Sequence, residues 1–178
     1  MEEKPRSATV HALYYGLITG AAMIVYHLIL YIANLYMNRA LGFVSLVILV
    51  GFMIWGTLEY RKKYLNGFIS YGKAFSTSFL IGLFAGILYA IYNFTYSEFI
   101  NPNISQEILD QARQKLLEGS QQMTEEQMDQ ALAWTARFTS PVMIAVWGLI
   151  SNTFFALILG LIAAIFLKKE DKTLTTNM

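Results

Sequence analysis

Two sets of polar side chains recur at helical spacing inside long apolar stretches of the sequence. The first set is His27, Tyr31 and Asn34, and the second is Tyr89, Asn93 and Tyr96. Positions i, i+4 and i+7 share one face of an α-helix, so each set predicts a short polar face. His27 is the group among them whose charge can change near neutral pH. The two sets could meet as a small ligand or proton site. Hydrogen bonding between neighbouring helices is the interpretation we favour.

A seventh polar position, Asn152, lies in the last apolar stretch within a series of small residues. The series repeats every four residues: Gly148, Asn152, Ala156, Gly160 and Ala164. Glycine pairs at the same spacing occur earlier, at Gly16 and Gly20 and at Gly82 and Gly86. Small residues at this spacing allow helix backbones to approach closely in lipid. We therefore expect them to pack helices within one chain in preference to forming a dimer, with Asn152 bonded to a neighbouring helix.

Residue types that catalysis or metal binding would need are missing from the same stretches. The chain has no cysteine, which excludes disulfides and thiolate ligands, and the apolar stretches contain no Asp, Glu, Lys or Arg. The HExxH, GxSxG and Gly-Lys phosphate-loop patterns are also absent. The sequence therefore predicts no catalytic, cofactor-binding or metal-binding residue, and a protein that is not an enzyme. A net charge of +1 gives no reason to expect a nucleic-acid partner.

Four runs without charged residues must form the elements that position these side chains. They cover residues 7–38, 40–58, 74–97 and 138–167 of a 178-residue chain that is 56% apolar and 14% charged. A helix of about 20 apolar residues crosses the hydrocarbon core of a bilayer. The runs predict an all-α, polytopic membrane protein in a lipid bilayer, with spans at 11–36, 41–58, 75–96 and 141–167. We expect one membrane domain over residues 1–178, and a first span that is retained because it is longer than a signal sequence.

Lys and Arg divide unevenly between the two sides of this topology. One side would carry nine: Lys4, Arg6, Arg61, Lys62, Lys63, Lys73, Lys168, Lys169 and Lys172. The other would carry four: Arg39, Arg113, Lys115 and Arg137. Cytoplasmic segments carry the excess of Lys and Arg. We therefore expect both termini in the cytoplasm and residues 98–139 on the opposite side of the membrane.

Residues 98–139 form an acidic insert between the third and fourth spans. The insert has seven acidic and three basic residues, a net charge of −4. Ser105 is the expected N-cap of a first helix that runs to about Leu117, with Gly119 as its terminator. Thr124 and Gln127 have the spacing of a capping box and predict the start of a second helix. Ser140 and Pro141 are the expected start of the last span.

Both predicted helices of the insert carry an apolar stripe. Its residues are Ile108, Leu109, Leu116, Met128 and Leu132. Such short helices are marginal alone and must bury this stripe against something. We expect a helical hairpin that packs on itself; the alternative is a surface for a membrane-protein partner or a second copy of the chain. Docking on the membrane is less favoured, because acidic helices are repelled by anionic lipid.

The segment between the second and third spans carries a recognisable pattern. Tyr60, Arg61 and Lys62 precede the run GFISYGKAF at residues 67–75, and the third span ends in Tyr96, Phe99, Ile100, Asn101 and Pro102. The pattern resembles the bacterial membrane-protein family filed as domain of unknown function 4199 (DUF4199). The resemblance implies four spans, a Gln- and Glu-rich insert before the last one, an inner-membrane location and no particular activity. In that family Asp often precedes the proline, where this chain has Asn101.

Four residues of this loop are candidates for a cytoplasmic docking site: Gly67, Ser70, Gly72 and Lys73. The simpler interpretation is a structural turn. Ser70 can cap the third span, the glycines permit a tight turn, and the Lys73 side chain can reach the membrane interface. His11, near the same interface, is expected to contact water.

The function favoured by the sequence is a non-enzymatic membrane module that binds or regulates a partner. The alternative is a small transporter or permeation subunit for a neutral or lipid-like solute. That alternative requires a cavity lined by His27, Asn34, Tyr89 and Asn93.

Overall fold

The computed structural model describes residues 7–119 and 124–169, and every regular element in these two segments is helical. In chain order the helices are α1 (Ala8–Ile32), α2 (Arg39–Tyr64), α3 (Tyr71–Thr95), α4 (Ile104–Gly119), α5 (Glu125–Phe138) and α6 (Pro141–Leu167). A π-helical turn, Tyr96–Ile100, continues α3. The predicted all-α class is confirmed.

Four of these helices are long and apolar enough to cross a membrane: α1, α2, α3 with its π-helical turn, and α6. The shortest, α1, has 25 residues. At 1.5 Å per residue it is about 37 Å long, which exceeds the hydrocarbon thickness of roughly 30 Å. The structure therefore agrees with the prediction of a multi-pass membrane protein. The helices α4 and α5 have 16 and 14 residues and lie between α3 and α6 in the chain.

The helix α1 ends earlier than predicted. It stops at Ile32 instead of residue 36, so the prediction that Asn34 extends a helical face is wrong. Asn34 has φ 57, the left-handed conformation that Asn tolerates better than most residues. The turn closes at Asn38, whose side-chain oxygen accepts from the backbone N–H groups of Ala40 and Leu41 and so starts α2.

The helix α2 continues to Tyr64, beyond the predicted end at residue 58. Glu59 pairs with Lys63 one turn later, with 3.2 Å between the charged atoms. Arg61, Lys62 and Lys63 therefore lie on the last turn of the helix instead of in a loop. Cations are favoured there by the helix dipole.

Helix starts in the acidic insert agree with the sequence at two of three positions. The Thr124 side chain accepts from the N–H of Gln127, and the Gln127 side chain accepts from the N–H of Thr124, which confirms the capping box. The helix α6 begins at Pro141, and Ser140 accepts from the N–H of Met143. The Ser105 prediction is wrong, because α4 begins one residue earlier, at Ile104.

The described residues form two compact units, one of residues 7–89 and 150–169 and one of Ala90–Leu149. In the first unit the other helices pack on α3 through small residues. A Cβ on Gly16 of α1 would lie 2.5 Å from the Cβ of Phe84, and a Cβ on Gly82 would lie 2.5 Å from the Cβ of Ala156 in α6. These glycines pack helices within the chain, as predicted. The core between them is formed by Ala12, Tyr15, Met23, Leu49, Met53, Ile81, Ala85 and Ala156.

In the second unit, α4 and α5 run antiparallel. The hydroxyl of Ser105, at the start of α4, donates to the carbonyl oxygen of Thr139 at the end of α5. Leu109 and Leu132 line a common groove farther along the two helices. We refer to these two helices as the α4–α5 pair. Its location outside the membrane, and the single domain expected from the sequence, stay predictions.

Candidate functional site

The predicted polar cluster is only partly assembled in the first unit. His27 and Tyr89 are half-buried, and their rings meet edge to face with centroids 6.4 Å apart. Tyr31 instead contacts Tyr36 in the turn after α1, with ring centroids 5.5 Å apart. Asn34 is exposed in that same turn. The first set therefore divides between a helix contact at His27 and a turn at Asn34.

Asn152 joins two helices through one hydrogen bond. Its side-chain Nδ2 donates to the carbonyl oxygen of Gly82 at 3.0 Å, and the side chain is buried against Gly86. A side chain on Gly86 would collide with that amide, so the glycine makes room for the bond. The arrangement matches the helix-bonding role expected of Asn152.

Asn93 and Gly148 form a similar close contact in the second unit. A Cβ on Gly148 would lie 2.8 Å from the Asn93 Nδ2 atom. Asn93 therefore packs against the backbone of α6. A solute pathway would need this side chain on the wall of a cavity, so the contact favours the packing interpretation over the transport alternative.

A group of polar residues holds the base of the α4–α5 pair, by which we mean the end where α4 begins and α5 ends. The backbone N–H of Asn101 donates to the Tyr96 carbonyl at 2.7 Å and closes the π-helical turn. The Asn101 side-chain Nδ2 lies 3.3 Å from both the Tyr96 hydroxyl and a Glu107 carboxylate oxygen. Asn101 is only 6% exposed. One side chain thus ties the end of α3 to the first turns of α4. The sequence predicted the helix end before Pro102 but not the π-helical turn.

The predicted interaction surface lies largely between α4 and α5. All five of its residues are half-buried: Ile108, Leu109, Leu116, Met128 and Leu132. Leu109 and Leu132 line a groove of about 280 Å³ together with polar neighbours from α4 and two alanines from α5. Leu109 and Leu132 therefore lie where α4 and α5 meet, and the expectation that the hairpin packs on itself stays a prediction.

A different set of apolar side chains faces outward in this unit. Trp134 and Phe138 of α5 and Trp147 of α6 are 60%, 43% and 48% exposed. Trp134 stacks on Phe138 with ring centroids 6.3 Å apart, and Phe138 meets Trp147 at 6.0 Å. We call these three residues the aromatic strip. The i, i+4 spacing of Trp134 and Phe138 was the sequence signal for it.

His11 is buried, and the prediction that it contacts water is wrong. It is 4% exposed, and its Nε2 lies 2.8 Å from the carbonyl oxygen of Gly56 in α2. The rings of Tyr15 and Tyr60 pack on it with centroids 4.5 and 5.1 Å away. His11 thereby joins α1 to α2. Tyr15 lies one turn from His11 on the same helix, but Tyr60 and Gly56 come close to His11 only when α1 packs on α2, so the sequence alone did not reveal that His11 is buried.

The loop between α2 and α3 is a structural junction. Gly67 has φ 84, a backbone conformation that favours glycine, and Ile69 pairs with Lys169 through two backbone hydrogen bonds of 2.8 and 2.9 Å. The Lys169 ammonium lies 5.6 Å from the ring centre of Phe68. Arg61 Nη1 donates to the carbonyl oxygen of Leu167 at 2.8 Å.

Other candidate positions of this loop lie at the start of α3. Ser70 directly precedes α3, and its carbonyl oxygen accepts from Ala74. Gly72 and Lys73 are exposed on the first turn of α3. The loop motif therefore holds the end of α6 against the start of α3, which favours a structural turn over a docking site.

A sequence model for the family described as "Protein of unknown function (DUF4199)" matches residues 14–169. The chain belongs to the DUF4199 family. The match includes the α2–α3 junction, the α4–α5 pair and all four long helices except the first six residues of α1. No curated protein and no solved structure matches the chain.

This DUF4199 protein has Asn101 at the position where the resemblance implies that Asp is common. An amide can donate to Glu107, whereas an ionised carboxylate there could only accept. The bond between Asn101 and Glu107 is therefore specific to the amide. Within residues 7–119 and 124–169, no three His, Asp or Glu residues are grouped so that they could hold a metal ion.

Proposed function

We propose that this DUF4199 protein is a non-enzymatic module of the bacterial inner membrane that presents the α4–α5 pair to a protein partner outside the cytoplasm. Both termini would then be cytoplasmic. The distribution of Lys and Arg supports this orientation, with nine on the side of the termini and four on the other.

The observation that carries the proposal is the construction of the base of the α4–α5 pair. Asn101 ties α4 to the end of α3, and the Ser105 hydroxyl ties α4 to the end of α5. A loop that only connected two spans would need no such bonds. A surface ordered in advance loses less conformational entropy when a partner binds, which favours a recognition role.

The charge of the pair favours a partner with a basic surface. The acidic residues of the pair that are exposed to solvent are Asp110, Glu118, Glu125, Glu126 and Asp129. Complementary charge steers association and suppresses the wrong partners. The half-buried stripe, in contrast, is already used between α4 and α5 and is unsuited to a partner without separation of the helices.

Affinity recovery in mild detergent tests the proposal. The full chain should retain a reproducible partner that is lost when the α4–α5 pair, residues 104–138, is replaced by a short Gly-Ser linker. Asp129→Lys should weaken recovery and make it less sensitive to salt. Glu98→Lys, a charge reversal at an exposed acid outside the pair, is the matched control and should retain the partner. Retention by the linker variant, or recovery of monomer alone from the full chain, would refute the proposal.

Orientation can be tested separately because the chain has no cysteine. Asp129→Cys should react with a membrane-impermeant maleimide in intact spheroplasts. Lys62→Cys should react only after the membrane is permeabilised. The reverse pattern would place the pair in the cytoplasm and contradict the proposed side.

A further inference from the structure

The aromatic strip is continuous with the part of α6 that would lie inside a membrane. The helix α6 has 27 residues and is about 40 Å long, which exceeds the roughly 30 Å of hydrocarbon by about two helical turns in total. Trp147 stands six residues after Pro141, or about 9 Å along the helix axis. With α6 centred in the bilayer, Trp147 lies just inside the hydrocarbon boundary.

The contacts within the strip then set the level of α5. Phe138 touches Trp147, so the Phe138 ring lies at the same boundary. Trp134 stacks on Phe138 from one helical turn earlier in α5. Trp is enriched at membrane interfaces, because its ring is apolar while its N–H can reach water or a headgroup. All three side chains are about half exposed to the surroundings. That exposure leaves them free to contact lipid.

The acidic character of the insert does not oppose this arrangement, because charge is segregated on α5. At 100° per residue, Gln127 lies within about 20° of Trp134 and Phe138, and Gln130 within about 40° of Trp134. Glu125 and Asp129 lie about 140–180° from Trp134, on the other flank of the helix, and Glu126, the acid nearest the strip, lies about 80° from Trp134 and 120° from Phe138. The expectation that acidic helices avoid anionic lipid therefore applies to the acidic flank and not to the strip.

Arg137 completes the chemistry of an interfacial contact. Its guanidinium carbon lies 5.2 Å from the centre of the Trp134 ring, within the range of a cation–π interaction. A guanidinium beside an interfacial Trp is placed to pair with lipid phosphate. We propose that the aromatic strip anchors α5 in the headgroup layer of the bilayer, with lipid as the occupant of this face and the acidic flank left to solvent.

Depth-dependent fluorescence quenching tests this anchor on the purified full chain. The three tryptophans are Trp55, Trp134 and Trp147. The Trp55→Phe/Trp147→Phe variant, reconstituted in phosphatidylcholine liposomes, reports on Trp134 alone. Its emission should fall when the lipid carries bromine on the acyl chain near the headgroup, and should resist aqueous iodide. The Trp55→Phe/Trp134→Phe variant is the positive control and should be quenched by the brominated lipid.

Two results would overturn the proposal. Quenching of Trp134 by iodide with no response to brominated lipid would place the strip in water. Protection from both quenchers that increases with protein density would assign the strip to a second copy of the chain. The measurement needs no partner protein, so its outcome is independent of the partner-binding proposal.

A second pair of variants separates anchoring from folding. In the background with Trp134 alone, Phe138→Ala should shift quenching of Trp134 from lipid bromine toward iodide. Leu117→Ala, at an exposed residue near the end of α4, should leave the quenching unchanged. An equal response of both variants would mean that the strip does not hold α5 at the bilayer.

Discussion

Polar side chains have different structural roles in the two units of this protein. In the unit of residues 7–89 and 150–169, Asn152 and His11 each bond a backbone carbonyl of a neighbouring helix, and glycines bring the backbones together. In the unit of Ala90–Leu149, Asn101 and Ser105 instead fix where helices begin and end. The first use is the packing that any helical membrane protein needs. The second builds a particular surface, so it carries more information about function.

The largest effect should come from filling the closest helix contact of the first unit. Gly82→Val would place a Cβ 2.5 Å from the Ala156 Cβ and 3.2 Å from the Met53 sulfur. Overpacking of this kind costs about 1–3 kcal/mol or more, and we expect loss of the monodisperse protein in detergent. Size-exclusion chromatography and thermal unfolding measure it.

Gly51→Val is the matched control on α2, because nothing lies within 4 Å of a Cβ there. It should leave the elution profile and the unfolding temperature nearly unchanged. Similar damage from both variants would mean that helix propensity, and not contact between the helices, dominates at these glycines.

The next effect concerns the base of the α4–α5 pair. Asn101→Asp removes a donor and places a carboxylate 3.3 Å from a Glu107 oxygen. An unmade buried hydrogen bond costs about 1–3 kcal/mol, to which like-charge repulsion adds. The start of α4 should therefore be held less firmly to the end of α3 in this variant.

Protease sensitivity of the α4–α5 pair, which should rise in Asn101→Asp, checks this prediction. Asn103→Asp is the control, because Asn103 is exposed just before α4 and an acid there is favoured by the helix dipole. An equal rise in protease sensitivity for both variants would contradict the assigned contact between Asn101 and Glu107.

The same comparison explains what sequence could and could not predict. Four charge-free runs predicted the four long helices, and the pattern at Thr124 and Gln127 predicted a helix start. Both predictions succeeded because hydropathy and capping depend on residues that are close in the chain. Asn34 was predicted to lie on a helix, but α1 ends four residues before the predicted position, so Asn34 lies in the turn instead. Burial of His11 depends on Gly56, 45 residues away, and no local pattern reveals such a partner.

The apolar stripe of the α4–α5 pair shows a related limit of sequence reasoning. A helical stripe reveals that a face is apolar but not what covers it. Leu109 and Leu132 line the groove between α4 and α5, while Trp134 and Phe138, on another flank of α5, stay exposed. Only the antiparallel arrangement of α4 and α5 separates the inner stripe from the outer strip.

A smaller effect should distinguish that inner stripe from residues outside it. Leu109→Gln would place an amide in the groove between α4 and α5 and should cost about 1–2 kcal/mol, part of the value of burying a leucine. Leu117→Gln, at a residue that is 62% exposed, should stay within about 0.5 kcal/mol of the parent. Hydrogen exchange of the α4 amides measures both. Equal effects would mean that the pair is not held by its stripe.

The smallest effect should be confined to one helix end. Thr124→Ala removes the side-chain half of the capping box, and N-cap losses of this kind cost about 1 kcal/mol. The first turn of α5 should exchange its amides faster. The turn around Phe138 should not, because the bond between Ser105 and Thr139 holds that end independently. If amide exchange accelerates along all of α5, the helix unfolds as one cooperative segment. The bond between Ser105 and Thr139 would then not hold the end of α5 independently, contrary to the role assigned to Ser105 in this unit.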